Sequence, residues 1–179
     1  RFAPSPTGTL HIGGVRTALF NFVYAKKYDG LFLVRIEDTD RARSTKEFEK
    51  NILDSLHSIG LSPDLEPINQ SERNDVYNSA AQKIIDSKQA YYCECSVERL
   101  DKMRSDQQAN GEKPQYDGRC RDLNLDKSDK RVLRLKTPLD GQIVVKDFVR
   151  GDVIFNNAEL DDLIILRGDG SPTYHLCNV

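Results

Sequence analysis

The first fourteen residues hold side chains that are well suited to chemistry, and they read Arg-Phe-Ala-Pro-Ser-Pro-Thr-Gly-Thr-Leu-His-Ile-Gly-Gly. Prolines keep the residues before them extended, so Arg1, Ala3 and Ser5 are expected to share one side of the segment. Glycines at 13 and 14 remove side chains where a backbone would meet a ligand, and a helical pattern opens just after them. Because a helix N-terminus offers free N–H groups to an anion, the segment is typical of a nucleotide-phosphate site.

Three cysteines near the middle of the chain form a second group. Cys93 and Cys95 are separated by one residue, and Cys120 follows after a longer spacer. Three thiolates with this spacing suit a structural zinc ion, which takes four tetrahedral ligands. Free thiols in a loop without metal are the alternative, and the sequence leaves both open. Cys177 lies in an apolar run and is interpreted as a small core residue.

Apolar spacing divides the chain into the elements that must position these groups. In the first half, helical stripes alternate with a short apolar run at residues 31–36, which favours a doubly wound α/β layer. After residue 91, one more helix is followed by strand-like runs between glycine turns, which indicates a mixed, mostly antiparallel insertion. We therefore expect the first half of a doubly wound layer over 1–90, an insertion over 91–172 and a returning strand over 173–179.

Composition narrows the class of protein. Of the 179 residues, 38% are hydrophobic and 30% are charged, which is typical of a soluble chain with enough apolar residues for a core. No apolar run approaches the length of a membrane span, so we expect no membrane association and a cytoplasmic location. The net charge of −2 excludes a generally basic nucleic-acid binder, but the positive charge of the middle third suits local contacts with phosphates.

Six blocks along the whole chain resemble the glutamyl-tRNA synthetases and follow the order of that family. They are the opening segment with its His-Ile-Gly-Gly signature, Arg35–Asp40, Gln70–Arg73, Tyr116–Cys120, Glu159–Asp162 and Asp169–Asn178. The resemblance implies a class I synthetase with a Rossmann-type catalytic layer and an inserted domain that binds the tRNA acceptor stem. Gly14 replaces the second histidine of many class I enzymes, as is common in bacterial glutamyl enzymes.

The activity implied by this resemblance is that of an ATP-dependent ligase. Such an enzyme activates L-glutamate as glutamyl-adenylate, with Mg²⁺ accompanying the ATP, and transfers it to the terminal ribose of tRNA(Glu). The family's Lys-Met-Ser-Lys-Ser-type loop and anticodon-binding domain are not in this sequence, so we expect an N-terminal fragment that is inactive alone, and a monomer. The glutamyl-queuosine tRNA(Asp) synthetases are a close alternative. A non-catalytic module that binds the acceptor arm is an alternative from another class.

The resemblance also implies roles for single residues. His11 would stabilise the charge that develops on the ATP phosphates, as the catalytic residue. The nucleotide site would comprise Thr7, Gly8, His11, Gly13 and Gly14. In the glutamate pocket, Arg1 suits a substrate carboxylate and Glu37 suits the ammonium group. The complete pocket would comprise Arg1, Ala3, Ser5, Glu37, Tyr174 and Asn178.

Tyr174 and Asn178 are four residues apart, so on a returning strand both would face the same side. At the zinc site, three ligands would be Cys93, Cys95 and Cys120. The patterns of the family leave Asp122, Tyr116 or a water molecule as the fourth ligand.

Overall fold

The computed structural model of the chain describes residues 1–178, and contacts divide them into two compact units. The first unit is Arg1–Asp75, and the second begins at Val76. The sequence predicts a boundary near residue 90, but the division falls earlier. The reason is helix α3 (Asn74–Asp86), which packs through Tyr77 and Ala81 into a core of the second unit.

The first unit is built on two short parallel strands. Its elements are α1 (Ile12–Lys27), β1 (Arg35–Ile36), α2 (Lys46–Ser58), β2 (Ile68–Asn69) and a 3₁₀ turn at Gln70–Glu72. β1 pairs in parallel with β2, and Phe2 forms a further parallel bridge to Val34. The apolar run at 31–36 therefore contains the residues that pair in parallel, Val34, Arg35 and Ile36, which fits the doubly wound layer that the sequence predicts. It is buried on one face only, because α1 and α2 cover Phe32, Val34 and Ile36 while Leu31 is 59% exposed.

The second unit is mostly antiparallel, as the sequence predicts for this region. Its remaining elements are β3 (Ala90–Cys93), α4 (Val97–Ala109), β4 (Val132–Leu135), β5 (Gln142–Asp147), β6 (Gly151–Asn156), a 3₁₀ turn at Asn157–Glu159, β7 (Ile164–Leu166) and α5 (Tyr174–Cys177). The strands β3, β4 and β7 form one antiparallel sheet with β4 in the centre, and β5 and β6 form a separate hairpin. No helix among residues 1–178 has the length and apolar character that a membrane span requires.

Two hydrophobic clusters pack against the three-stranded sheet. One contains Leu133 together with α3, β7 and α5. The other contains Tyr91 and Cys93 of β3, Leu100 of α4, and the loop residues Tyr116 and Cys120. Because two cysteines of the predicted metal site belong to this second cluster, the sheet and α4 fix the cysteine loop in place.

The prediction of a strand over residues 173–179 is wrong for the part of it that the structure describes. Tyr174–Cys177 form the short helix α5, and the Asn178 N–H donates to the Tyr174 carbonyl oxygen at 3.2 Å. Leu176 and Cys177 are buried in the cluster with Tyr77 and Leu133. The apolar residues of this run are therefore buried from a helical turn and not from a strand. Val179 lies outside the described residues.

Candidate functional site

The opening segment is extended and pairs with the residues that lead into β1. The Phe2 N–H donates to the Leu33 carbonyl oxygen at 2.9 Å, and the Phe2 carbonyl oxygen accepts from the Arg35 N–H at 3.0 Å. Phe2 and Pro6 are buried on one side of the segment. The opposite, accessible side carries the residues that proline spacing predicts to be together, Arg1, Ala3 and Ser5.

His11 caps the N-terminus of α1. Its Nδ1 accepts a hydrogen bond from the Gly13 N–H at 3.2 Å. Since Nδ1 accepts, the neutral ring carries its proton on Nε2, which is then a donor. The exposed ring can therefore present an N–H group to an anion at the end of the helix.

The two glycines at positions 13 and 14 lie close to side chains of the protein, so a larger residue at either position would force a side chain to shift. A Cβ at Gly13 would lie 2.9 Å from the His11 Cε1 atom, and a Cβ at Gly14 would lie 2.8 Å from the Leu10 Cδ1 atom. The turn at Thr7 and Gly8 is open, because a Cβ at Gly8 would meet no atom within 4 Å. All five residues predicted for the nucleotide site thus lie in one stretch that leads into α1.

Glu37 follows β1 directly and is buried, with Arg35 as its partner. The Arg35 Nη2 atom lies 2.5 Å from the Glu37 Oε1 atom, and the two side chains are 16% and 9% exposed. The Glu37 N–H donates to the Pro4 carbonyl oxygen at 2.9 Å, which ties Glu37 to the opening segment. Arg35 is not among the residues that the sequence predicts for the pocket, although residues two apart on a strand share a face.

Asp38 joins the ends of the two parallel strands. Its carboxylate accepts from the Ser71 N–H at 2.8 Å and from the Ser71 hydroxyl at 2.5 Å. The Asn69 amide donates to Asp38 at 3.4 Å and to Glu49 at 3.0 Å. Asp38 therefore fixes the chain beside Glu37 at the carboxyl edge of the parallel strands, where ligands of such sheets bind. In the sequence, the feature that points to Asp38 is the pair of acidic residues, Glu37 and Asp38, directly after a strand.

Tyr174 and Asn178 belong to the second unit. They lie on α5 and at its C-terminal cap, and a spacing of four residues places them on one face of a helical turn. Tyr174 is 55% exposed, and its ring packs edge-on against His175 with 5.8 Å between ring centroids. The shared face that the sequence predicts for a strand thus arises from a helix.

The three cysteines come together around the Tyr116 hydroxyl. The Sγ atoms of Cys93, Cys95 and Cys120 lie within 4.8 Å of one another. The Tyr116 Oη atom is 3.4 Å from the Sγ atoms of both Cys93 and Cys95, and it accepts from the Cys120 N–H at 3.1 Å. An oxygen atom therefore stands beside two of the three clustered sulfur atoms, and sulfur and oxygen atoms are donors that zinc accepts.

Asp122, one of the candidates for the fourth ligand, lies outside this cluster. Its side chain is 90% exposed and pairs with Lys136 at 3.1 Å. The preceding Arg121 turns inward instead, because it contacts the buried Asp162 carboxylate at 3.4 Å and donates to the Thr137 carbonyl oxygen at 2.7 Å. With Arg121 directed inward, its neighbour in the chain is directed to solvent.

The cysteines of the cluster differ in how readily they ionise. Burial raises the pKa of the Cys95 thiol to about 11. Burial opposes ionisation of Cys93 too, but hydrogen bonds from Tyr116, the Cys95 backbone and Arg134 outweigh it, so the pKa of Cys93 is lowered. Burial, followed by hydrogen bonds with the thiols, raises the pKa of the Tyr116 hydroxyl. The thiolate is the form that binds metal, and the Cys93 thiol loses its proton more readily than the Cys95 thiol.

A basic cavity of about 600 Å³ opens beside the cysteines. Its cationic lining residues are Arg99, Arg119, Lys130 and Arg131. Arg131 pairs with Glu94 at 2.8 Å and Arg99 pairs with Asp117, so part of the positive charge is already offset. Arg119 and Lys130 form no ion pair within residues 1–178, so their positive charges are not offset by a carboxylate there.

Comparison with known proteins places this geometry in a family. A family model described as the catalytic domain of class I tRNA synthetases (E and Q) matches residues 1–179. Glutamate–tRNA ligase 2 of Halorhodospira halophila is 54% identical over 98% of this chain and 38% of that protein. The glutamate–tRNA ligase of Nitratidesulfovibrio vulgaris is 51% identical over 100% of this chain and 39% of that protein.

A solved structure shows the same fold. The crystal structure of a glutamate tRNA ligase from Elizabethkingia meningosepticum in complex with its amino acid superposes with a TM-score of 0.88 at 38% identity. The match covers 99% of this chain and 40% of that chain. It confirms the Rossmann-type α/β fold, and the chain spans about two fifths of the length of the relatives it matches. From its sequence, fold and site geometry together, the chain belongs to the class I tRNA synthetases, in their catalytic domain.

Proposed function

We propose that the protein to which this chain belongs activates L-glutamate with ATP and transfers it to tRNA(Glu). The observation that carries the proposal is the hydrogen bond of 2.9 Å between the backbones of Glu37 and Pro4. It holds a buried carboxylate next to the segment whose accessible side carries Arg1. An amino acid needs an anionic partner for its ammonium group and a cationic partner for a carboxylate, and glutamate has a second carboxylate for the arginine fork.

In the first step, a glutamate carboxylate oxygen attacks the α-phosphorus of ATP, and the bond to the leaving pyrophosphate breaks. Charge on the phosphate oxygens is stabilised by the His11 Nε2–H group and by the N-terminus of α1. Mg²⁺ bound with the ATP supplies further charge neutralisation. In the second step, a ribose hydroxyl of tRNA attacks the adenylate carbonyl carbon and AMP leaves. No protein nucleophile is required, so catalysis consists of positioning and charge stabilisation.

We further propose that Cys93, Cys95, Cys120 and the Tyr116 hydroxyl hold a structural zinc ion. The support is the donor set: three sulfur atoms within 4.8 Å of one another and a phenol oxygen 3.4 Å from two of them. Zinc there would tie the end of β3 to the loop that contains Tyr116 and Cys120. The basic cavity beside this loop suits the phosphates of a tRNA acceptor stem, so we propose the second unit as the acceptor-binding insertion.

The position of Tyr116 favours one alternative acceptor. The glutamyl-queuosine tRNA(Asp) synthetases, which the sequence also resembles, have a metal pattern of two cysteines, a tyrosine and a cysteine. Cys93, Cys95, Tyr116 and Cys120 fit that pattern. In that alternative, activation of glutamate is unchanged, and the acceptor is the modified base of tRNA(Asp) instead of the terminal ribose of tRNA(Glu).

The test is aminoacylation with labelled glutamate, with tRNA(Glu) and tRNA(Asp) as acceptors. It compares residues 1–179 alone with the chain extended by the part that its relatives carry beyond the match. We expect the extended protein to charge tRNA(Glu). We expect the chain alone to bind tRNA weakly, with an affinity that falls as salt rises, and to form no glutamyl-tRNA. Charging of tRNA(Asp) alone would favour the second candidate, and charging by residues 1–179 would show that the catalytic groups are misassigned.

A further inference from the structure

Arg134 is a buried cation next to the cysteine cluster, and no carboxylate of residues 1–178 forms an ion pair with it. Its residue is 3% exposed, in the central strand β4. One guanidinium nitrogen, Nη1, donates to the Asp162 main-chain oxygen at 2.7 Å. The other two, Nε and Nη2, are buried and have no partner at hydrogen-bond geometry within residues 1–178, and the guanidinium group favours the ionised form of the adjacent Cys93 thiol, whose pKa it helps to lower. A charge in such a place is costly unless an opposite charge lies nearby.

The nearest buried carboxylate does not supply that opposite charge. The Asp162 carboxylate accepts from the Tyr91 hydroxyl at 2.6 Å and from the Thr137 hydroxyl at 2.7 Å, and its ion pair is with Arg121 at 3.4 Å. Arg134 forms no ion pair of its own within the described chain. With Arg121 and Asp162 cancelling, this buried region keeps the single positive charge of Arg134.

The guanidinium group lies on the ring that carries the fourth donor atom. The Arg134 Cζ atom is 3.9 Å from the centroid of the Tyr116 ring, well within the range of a cation–π contact. The opposite end of that ring, the Oη atom, stands 3.4 Å from two thiols. A Zn²⁺ ion with three thiolates and a neutral phenol carries about one net negative charge. The charge of the metal centre and the charge of Arg134 would therefore cancel.

We propose that Arg134 is the counter-ion of the metal centre and the positioning residue for Tyr116, so that zinc affinity depends on its charge. This inference rests on the proposed zinc site. It also explains why a charged residue occupies the middle of an apolar strand between Leu133 and Leu135. Residues that orient metal ligands without touching the metal typically change metal affinity by about 10- to 100-fold when they are replaced.

The experiment measures zinc affinity by competition with a chromogenic chelator, and chemical unfolding with and without zinc, for the wild type and three variants. Arg134→Gln removes the charge and keeps a donor for the Asp162 carbonyl oxygen. Arg134→Lys keeps the charge. Arg99→Met is the matched control, because Arg99 contacts the Cys95 Sγ atom at 3.6 Å but is already paired with Asp117.

We expect Arg134→Gln to lower zinc affinity by about 10-fold or more, Arg134→Lys to retain most of it, and Arg99→Met to change it by less than about 3-fold. Zinc should also stabilise Arg134→Gln against unfolding less than it stabilises the wild type, which a purely structural arginine would not cause. Equal zinc affinity of Arg134→Gln and wild type would overturn the inference. If Arg134→Gln does not fold without metal, a loss of more than about 10-fold in Arg134→Lys overturns it. If the wild type itself binds no zinc, the proposed zinc site fails instead.

Discussion

The fourth ligand of the proposed metal centre can be identified by removing one oxygen atom. Tyr116→Phe keeps the ring on which the Arg134 guanidinium group lies and deletes only the hydroxyl. The hydroxyl accepts from the Cys120 N–H at 3.1 Å, and Cys120 is 1% exposed, so the variant leaves a buried donor without an acceptor. Such a group costs about 1–3 kcal/mol, which is the expected loss in the free energy of unfolding of the metal-free protein.

The effect on zinc should be separate from this loss. A site that loses its phenol oxygen keeps three thiolates and must complete its coordination with water. We expect the dissociation constant for zinc to rise at least about tenfold, which corresponds to roughly 1.4 kcal/mol. The matched control is Asp122→Ala, because Asp122 is 90% exposed and its partner Lys136 is a surface cation. That variant should bind zinc as the wild type does.

The assay is titration of zinc against a chromogenic chelator, with urea unfolding of the metal-free proteins in parallel. Tyr116 is not the fourth ligand if Tyr116→Phe binds zinc like the wild type while Asp122→Ala loses affinity. In that case the loop after Cys120 must rearrange when metal binds, with Asp122 directed inward. Unchanged affinity in both variants would leave water as the fourth ligand, which also contradicts the assignment of Tyr116.

Three further predictions concern other parts of the chain. Arg1→Ala should raise the KM for glutamate about 10- to 100-fold in aminoacylation and leave the KM for ATP nearly unchanged, because a charge-assisted pair of arginine and carboxylate contributes roughly 1.5–3 kcal/mol. An unchanged KM for glutamate would contradict the assignment of Arg1. Gly13→Ala should lower kcat, because its Cβ would stand 2.9 Å from the His11 ring, and an unchanged kcat would contradict the role of that ring. Hydrogen bonds from Lys26 and the Phe32 N–H lower the pKa of Asp64 below its usual value of 3.8. The stabilisation that this carboxylate contributes is present above that usual value and is lost as the pH falls through the lowered pKa, so acid unfolding of Asp64→Asn should depend less steeply on pH than that of the wild type.

The sequence by itself determined the features that neighbouring residues fix. Proline spacing predicts that Arg1, Ala3 and Ser5 share one side of an extended segment, because the conformation of each residue depends on its immediate neighbours. The helix that begins after His11 and the closeness of Cys93 and Cys95 on either side of Glu94 are equally local. Such features are readable because backbone sterics and short-range hydrogen bonds decide them.

Only the tertiary structure shows which side chains lie beside the cysteines. The Tyr116 hydroxyl lies there, whereas Asp122 pairs with Lys136 at the surface, next to Arg121, which turns inward to the distant Asp162. The partner of Tyr116, Arg134, comes from a strand that the sequence shows only as an apolar run with one charge.

The last described residues show the same limit. The run from Thr173 is typical of a strand in its composition, but it forms one helical turn that buries Leu176 and Cys177 in the cluster with Tyr77 and Leu133. In each case the deciding contact joins residues far apart in the chain. Its free energy outweighs the weak local preference, and a linear pattern carries no record of it.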